Sequence, residues 1–365
     1  MNILVLYSKQ SSSVNLSKGN YADAVRTIAT IAVVVIHSSG EIVNNFNHTD
    51  WNNWWICNFF NSITRWSVPL FVMLSGSLLL SPTKEEPNSS FFKKRISRVF
   101  IPYVFWSIFY FMYTYRDPIW DGTPLPWYDI RQKLMTTDMY FHLWFISMIL
   151  GLYLLTPFFR VYLKAASKKD LEYFIVLWFV LVSINSYYPK FFIIKFLGWM
   201  GYCGMYVMGY YLKEYGLPFR KWFYRIAWLC FLSTGPLTYY YSAQYGVFNG
   251  AVYLYLAPTT IIYSAALFDW FLQRNWVAFA EKRPKIWQFT QYFAGISFGV
   301  YLLHAYVLDC LKNGYYGGKI YNDHFLGYPL SSAIAVPILV TIVLTICTLV
   351  VGLAHRNQFL KRLIG

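Results

Sequence analysis

The main pattern in this chain is a series of long apolar stretches separated by short polar segments. Nearly every stretch is apolar over about 18 residues or more, the length that an α-helix needs to cross a bilayer. We count ten stretches, at about residues 22–40, 55–80, 99–115, 141–160, 171–188, 192–212, 226–242, 250–272, 292–311 and 330–353. The pattern therefore predicts an all-α, polytopic membrane protein with about ten transmembrane helices.

The basic residues between these stretches predict the direction of the helices. With the N-terminus inside, 23 of the 31 Lys and Arg residues fall in inside segments, in the tails or at the foot of the first stretch. An excess of Lys and Arg in cytoplasmic segments orients membrane helices. We therefore expect both termini in the cytoplasm, with tails at 1–20 and 356–365 around one membrane domain at 21–355.

The composition agrees with a membrane protein and argues against other classes. The chain is 57% hydrophobic and 13% charged, whereas a soluble domain has about a quarter charged residues. The net charge of +15 does not indicate nucleic-acid binding, because the basic residues recur in short clusters between apolar runs. The five cysteines lack metal-ligand spacing, so no metal site is expected. The apolar run in the opening MNILVLYSKQ is too short for a signal peptide, and none is expected.

The first stretch carries ionisable residues where the membrane is apolar. Arg26 and His37 are eleven residues apart, so on a helix they share a face and lie roughly 16 Å apart along its axis. Thr30 falls between them on that face, and Glu41 follows His37 at helical spacing. Ionisable groups within a membrane are expensive and usually functional. The alternative to a functional role is that His37 is a buried histidine that only forms a hydrogen bond to a neighbouring helix.

Two further stretches place ionisable groups at a comparable depth. Arg65 lies in the second stretch, where Pro69 removes the helical hydrogen bond to the Arg65 carbonyl and should bend the helix. Ser75 follows Arg65 further along the same stretch. His304 lies near the middle of the ninth stretch. Together with His37, these residues predict a polar site inside the membrane domain.

A basic cluster precedes the third stretch. Lys93, Lys94, Arg95 and Arg98 stand close to the expected inside surface, and Arg95 and Arg98 form an RxxR pair. Ordinary anchoring at the membrane surface explains such a cluster. Paired guanidinium groups also suit phosphate oxygens, and Arg26 lies at the same depth. A phosphorylated ligand bound there could extend an arm towards His37.

Two other features have competing explanations. The loops at about 116–140 and 312–329 are rich in aromatic residues, as expected either for an interfacial belt or for a surface on which sugar rings stack. These residues are Trp120, Trp127, Tyr128, Tyr315, Tyr316, Tyr321 and Tyr328. His304 and Asp309 also spell HxxxxD, but positions five apart on a helix point about 140° away from each other. We interpret this match as chance.

Six motifs occur in one order: Arg26-x10-His37, SVPLFVMLSGSLL (67–79), RxxR before IPY (95–103), HLWFISMILGLYLLTP (142–157), YVMGYYL (206–212) and ISFGVYLLH (296–304). Together they resemble the acyltransferase type 3 membrane family over essentially residues 20–355. The chain is most similar to stand-alone members that O-acetylate surface polysaccharides. The resemblance implies a ten-helix acyltransferase of the plasma (bacterial inner) membrane. It implies acetyl-CoA, or a related acyl-CoA, as the donor and a glycan or lipid-linked saccharide as the acceptor.

The resemblance also implies residue roles. Arg26 and His37 match the family's Arg/His pair, Arg95 and Arg98 match its RxxR pair, and Arg65, Ser75 and His304 fall within motifs. We expect His37 to deprotonate the acceptor hydroxyl, or first to take the acyl group itself. We expect Arg65 or Ser75 to stabilise developing negative charge, and the three other arginines to hold the CoA phosphates.

Some expectations do not rest on the six motifs. Glu41 belongs to none of the motifs, and its place as a partner of His37 rests on spacing alone. Some family members carry a C-terminal esterase-like domain, which we do not expect after Gly365. A multi-span exporter of solutes or acyl groups, or a structural partner in polysaccharide assembly, would also suit ten helices with a polar centre. A homo-oligomer is compatible with the sequence.

Overall fold

Helices make up most of the protein in the computed structural model, which describes residues 21–81, 86–136, 139–187, 201–315, 318–321 and 323–365. The helices up to residue 187 are α1 (Tyr21–Asn44), α2 (Trp51–Ser62), α3 (Ser67–Leu79), α4 (Asn88–Arg95), α5 (Ile101–Thr114), α6 (Arg116–Asp121), α7 (Trp127–Thr136), α8 (Trp144–Ala165) and α9 (Lys168–Tyr187). The later ones are α10 (Gly201–Tyr215), α11 (Arg220–Tyr245), α12 (Pro258–Gln273), α13 (Trp276–Lys282), α14 (Pro284–Lys312), α15 (Ser332–Ala354) and α16 (Gln358–Ile364). Strands β1 (His324–Phe325) and β2 (Tyr328–Pro329) form an antiparallel hairpin.

Seven helical segments in the described part of the chain are long and apolar enough to cross a membrane. They are Tyr21–Asn44, Asn88–Thr114, Trp144–Ala165, Lys168–Tyr187, Ala251–Gln273, Pro284–Lys312 and Ser332–Ala354. The protein is therefore an all-α, multi-pass membrane protein, as the sequence predicts. The count of ten helices and the cytoplasmic position of both termini stay predictions. The tail at 1–20 lies outside the described residues.

The three other predicted helices differ from the expected pattern for separate reasons. The stretch 55–80 is divided, because α2 ends at Ser62 and α3 begins at Ser67. Pro69 lies in the first turn of α3, where a missing N–H costs little, so the chain turns before the proline and does not bend at it. In the stretch 192–212, residues 192–200 lie outside the described residues. Helix α11 has 26 residues, but its many polar side chains lower its hydropathy.

Two parallel helices form the centre of the bundle. Helix α1 packs against α2, α3, α14 and α15. The hydroxyl of Thr27 in α1 donates to the carbonyl of Thr290 in α14 at 3.0 Å, and near the opposite ends of the two helices Glu41 forms an ion pair with Lys312. Both helices therefore run in the same direction. This agrees with the first and ninth predicted helices both being odd-numbered crossings.

Helices α3 and α10 cross at a pair of glycines. A Cβ on Gly76 would collide with the backbone carbonyl of Tyr206, and a Cβ on Gly209 would collide with that of Met73. The two backbones therefore touch where each helix has only a hydrogen atom as its side chain. Small residues allow this approach in membrane helix pairs. This crossing holds α3, and with it Ser75, against the rest of the bundle.

We expect Gly76→Ala to destabilise the protein, because neither backbone can move away without separating the helices. Overpacking costs roughly 1–3 kcal/mol when flexible side chains can adjust, and here the obstacle is main chain. Thermal unfolding in detergent, followed by tryptophan fluorescence, should show a clearly lowered midpoint. Gly151→Ala is the matched control, since no atom lies within 4 Å of a Cβ built there. Equal midpoints for both variants would contradict the close crossing.

Candidate active site

Two cavities lie along α1. The histidine cavity, of about 960 Å³, is lined among others by His37, Glu41 and Arg65. The arginine cavity, of about 500 Å³, is lined by Arg26, Arg95 and Arg98 together with apolar side chains of α3 and α8. Because eleven residues of helix rise roughly 16 Å, Arg26 and His37 place the two cavities at successive levels of one helix.

Three imidazole rings lie between the two cavities. The His37 ring lies 5.3 Å from that of His304 and the His304 ring lies 5.2 Å from that of His142, measured between ring centroids. His142 and His304 are fully buried, whereas His37 lines the histidine cavity. On the other side, Tyr301 lines the arginine cavity and its ring lies 5.6 Å from that of His304. We call His37, His142 and His304 the histidine layer.

Arg65 is held by the break between α2 and α3. Its guanidinium donates to the side-chain oxygen of Asn61 and lies over the ring of Tyr253, 4.2 Å from the centroid. The side-chain nitrogen of Asn61 donates in turn to the Ile36 carbonyl at 3.0 Å, directly before His37. The Nε of Arg65 is buried and has no hydrogen-bond partner among the described residues. Asn61 therefore fixes Arg65 relative to His37, and the Nε of Arg65 remains available as a hydrogen-bond donor.

Glu41 has partners other than His37. Its carboxylate forms an ion pair with Lys312 and accepts a hydrogen bond from the Tyr321 hydroxyl at 2.5 Å. Burial, followed by the bond to Glu41, raises the pKa of Tyr321, so this phenol remains a hydrogen-bond donor at neutral pH. Glu41 thus joins α1, α14 and the segment before β1 at the rim of the histidine cavity. Among the described residues, Glu41 forms its ion pair and hydrogen bond with Lys312 and Tyr321 and none with His37, the partner that the spacing suggested.

Aromatic rings form one wall of the histidine cavity. Trp144, Tyr202 and Tyr255 all line it. The rings of Trp144 and Tyr255 are stacked, with centroids 5.8 Å apart and planes inclined by 22°. Such faces suit the C–H surfaces of a sugar ring, because they are large, rigid and apolar.

The loop aromatics predicted as a belt or a platform mostly lie elsewhere. Trp120 and Tyr128 are 86% and 80% exposed, as expected of an interfacial belt, while Tyr321 lines the cavity. Trp127, Tyr315 and Tyr328 are also exposed. Tyr316 lies outside the described residues. The aromatic wall is therefore built mainly from residues that the sequence did not single out.

The arginine cavity presents positive charge beside apolar walls. Arg26 forms a half-exposed pair with Asp23 at 3.3 Å, and Arg98 lies exposed in the π-helical turn Ile96–Phe100. The Arg95 guanidinium lies over the Phe91 ring, 4.9 Å from its centroid. The Nε of Arg95 is buried without a hydrogen-bond partner in the part of the chain that the structure describes. This donor set fits phosphate oxygens, and the apolar remainder fits an uncharged arm.

A fourth arginine supports this region from behind. Arg160 of α8 is buried, and its Nε donates to the Leu79 carbonyl at 2.8 Å. Its guanidinium lies 4.9 Å from the Phe91 centroid, the ring that Arg95 also contacts. The Arg160 side chain therefore ties α8 to the end of α3 next to the arginine cavity.

The structure groups most of the predicted site residues but separates one. His37, Arg65 and Glu41 line one cavity, with His304 packed behind His37, while Arg26, Arg95 and Arg98 line the other. Ser75, predicted beside the reacting groups, lines the arginine cavity instead, and its hydroxyl donates to the Phe71 carbonyl at 2.9 Å.

Sequence reasoning did not assign a role to His142 or Arg160. His142 opens the HLWFISMILGLYLLTP motif, and its position at the edge of an apolar stretch was the available signal. Arg160 begins the basic segment after the fourth apolar stretch, where the charge pattern indicates no more than an inside-facing residue. The structure is consistent with the interpretation of HxxxxD as a chance pattern, because His304 and Asp309 have different partners. Asp309 accepts a hydrogen bond from Tyr113, and His304 contacts the Tyr301 carbonyl. Among the described residues no cluster could hold a metal ion.

A family model described as an acyltransferase domain matches residues 20–355. The chain belongs to the acyltransferase type 3 family. It is also similar to the "Putative membrane-bound acyltransferase YfiQ" of Bacillus subtilis (strain 168), with 24% identity over 310 residues that cover 78% of this chain and 79% of that one. No solved structure gives a significant match. The protein is thus a membrane acyltransferase by family, with the matched region spanning both cavities.

Proposed function

We propose that the protein is an O-acyltransferase that moves an acetyl group from acetyl-CoA to a sugar hydroxyl of a lipid-linked or surface polysaccharide. The observation that carries the proposal is the histidine layer between a cationic cavity and an aromatic one. A transfer reaction between two dissimilar substrates needs one site for each and a shared reacting centre.

The arginine cavity would take the donor. Three guanidinium groups line it, and the buried Nε of Arg95, which has no partner among the described residues, offers a hydrogen bond to an anion. A thioester of coenzyme A carries several phosphate charges at one end and an uncharged arm at the other. Apolar side chains such as Phe71, Leu78 and Ile149 continue from the arginines into the bundle. Their position suits that arm and leads the thioester towards the histidine layer.

The histidine cavity would take the acceptor. Its charges come as the Glu41–Lys312 pair, an Asp309 carboxylate bonded to Tyr113, and Arg65. Its stacked rings and hydrogen-bonding side chains resemble a surface for a polyhydroxylated ligand more than one for a polyphosphate. A hydroxyl held against this wall would meet His37, the one member of the histidine layer that lines the cavity.

The chemistry then follows from the groups at the boundary. His37 would remove the proton of the acceptor hydroxyl as its oxygen attacks the thioester carbon, and Arg65 would stabilise the negative charge that develops on the carbonyl oxygen. We place the arginine cavity on the cytoplasmic side of the inner membrane, in agreement with the basic segments around it. The acetyl group would thereby travel outward along α1.

The proposal predicts a chemical change on the cell surface. Mass spectrometry of surface glycan from strains with and without the gene should show acetyl esters that disappear on deletion. They should return with the wild-type gene but not with His37→Ala. Identical glycan from both strains would contradict a glycan acceptor. Accumulation of a small solute inside the deletion strain, without loss of esters, would instead favour an exporter.

We expect Trp144→Ala to raise the KM for the glycan acceptor and to leave the KM for acetyl-CoA unchanged. Loss of a ring contact of about 1 kcal/mol corresponds to roughly a fivefold increase. Trp120→Ala is the matched control, because Trp120 is 86% exposed and does not line the cavity. Steady-state kinetics with each substrate varied in turn checks both values. A change in the KM for acetyl-CoA alone would contradict the assignment of this cavity to the acceptor.

A further inference from the structure

The backbone of its own helix holds His304 in one tautomer. Its Nδ1 faces the Tyr301 carbonyl at 2.5 Å. A carbonyl oxygen only accepts, so the hydrogen of the neutral ring must be on Nδ1. The Nε2 of His304 then carries a lone pair. This atom is buried and has no hydrogen-bond partner among the described residues.

His142 is held in a matching way by α14. Its Nε2 faces the Leu302 carbonyl at 3.3 Å, which places the hydrogen on Nε2 and the lone pair on Nδ1. That Nδ1 is also buried without a partner in the described part of the chain. The hydroxyl of Tyr301 additionally donates to the His142 carbonyl. Two acceptor nitrogens are therefore fixed in the buried part of the histidine layer.

Unsatisfied buried acceptors are costly and need an explanation. The His142 ring lies 5.2 Å from that of His304 between centroids, but its hydrogen is engaged by the Leu302 carbonyl. The other neighbouring imidazole is that of His37, 5.3 Å from His304 between centroids. Two imidazoles that share one hydrogen through facing nitrogens have about this separation, given an N···N distance of about 3 Å. A small rotation of the half-buried His37 ring would bring its N–H to the His304 lone pair.

We propose that His304, whose ring packs edge-on against that of His142, is a positioning residue that accepts a hydrogen bond from His37 and so fixes the tautomer of His37. The hydrogen of His37 then points into the histidine layer, and its lone pair faces the histidine cavity, where the acceptor hydroxyl would lie. This inference rests on the proposed acyl transfer and assigns His304 its part in it.

The proton balance of the reaction is complete with these groups. The hydroxyl oxygen forms its bond to the thioester carbon while the C–S bond breaks, and the hydroxyl proton passes to His37. The proton then leaves with the sulfur as the free thiol of CoA. While His37 carries both hydrogens, the His304 lone pair accepts one of them throughout, which spreads the positive charge into the layer. No oxidant, reductant or metal takes part.

Two nearly isosteric replacements separate this role from a merely structural one. His304→Asn retains a donor for the Tyr301 carbonyl but removes the distal acceptor. His304→Gln can direct its side-chain oxygen towards His37 from the position of the lost Nε2. We expect His304→Asn to lower kcat roughly 100-fold, at the low end of general-base contributions, with both KM values within twofold of wild type. We expect His304→Gln to restore kcat to within about tenfold of wild type.

The readout is the release of CoA thiol by the purified full-length protein, with acetyl-CoA and glycan extracted from a deletion strain. Thermal unfolding of each variant confirms that it is folded. His304→Gln as inactive as His304→Asn, or His304→Asn as active as wild type, would overturn the positioning role alone, provided that the wild type is active. A wild-type protein that releases no thiol would overturn the proposed function and this inference with it.

Discussion

His37→Ala should abolish acyl transfer while leaving the protein folded and inserted in the membrane. His37 is the only member of the histidine layer that lines the histidine cavity, so no other imidazole can reach a hydroxyl there without rearrangement. Loss of a general base typically costs roughly 100- to 10,000-fold in rate. If His37 also takes the acyl group itself, the loss would exceed that range. The measurement is the rate of CoA thiol release with glycan present.

A histidine elsewhere provides the control for this experiment. His48 lies exposed in the connection between α1 and α2, and His48→Ala should behave as wild type. Membrane insertion and the unfolding midpoint should be unchanged for both variants. His37 is only half-buried, so its replacement by alanine removes little packing. Wild-type acylation by a well-folded His37→Ala protein would remove His37 from the mechanism.

Arg95→Ala should raise the KM for acetyl-CoA by roughly 10- to 100-fold, since a hydrogen bond to a charged group contributes about 1.5–3 kcal/mol. The KM for the glycan should stay the same, because Arg95 lines the arginine cavity and not the histidine cavity. The value of kcat should fall little if Arg95 contacts the donor far from the reacting carbon. Initial rates over a range of acetyl-CoA concentrations measure both constants.

The control for Arg95 must remove the same charge from the same segment. Lys93 lies exposed two residues earlier and does not line the arginine cavity, so Lys93→Ala should leave both KM values unchanged. If the two variants weaken acetyl-CoA binding equally, the effect is one of general surface charge. A fall in kcat alone for Arg95→Ala would place this residue outside the donor site.

The sequence predicts the membrane class and the central residues because both depend on the cost of placing a side chain in water or in a membrane. Long apolar runs can be placed in few environments, and charged groups such as Arg26 or Arg65 within them need a reason. Helical spacing placed Arg26 and His37 on one face, and the structure has them lining cavities at two levels of α1. Which residues share a face of one helix was thus accessible from periodicity.

Contacts between helices were not accessible in this way. Ser75 is ten residues from Arg65, but the break before Ser67 separates them into different cavities. Glu41 lies one turn from His37, yet its partners Lys312 and Tyr321 come from the far end of the chain. His142 became part of the site only through packing of α14 against the start of α8. Such placements depend on tertiary structure, which a one-dimensional pattern does not specify.

We propose that one molecule of acyl-CoA and one sugar hydroxyl react at the boundary between the two cavities. The most direct test supplies the purified, reconstituted protein with acetyl-CoA labelled in the acetyl group and with glycan extracted from a deletion strain. Free CoA thiol and labelled glycan ester are then quantified in the same sample. We expect equal amounts of free thiol and labelled ester from wild type and neither from His37→Ala. Intact acetyl-CoA with wild type, or thiol release without any labelled ester, would contradict it.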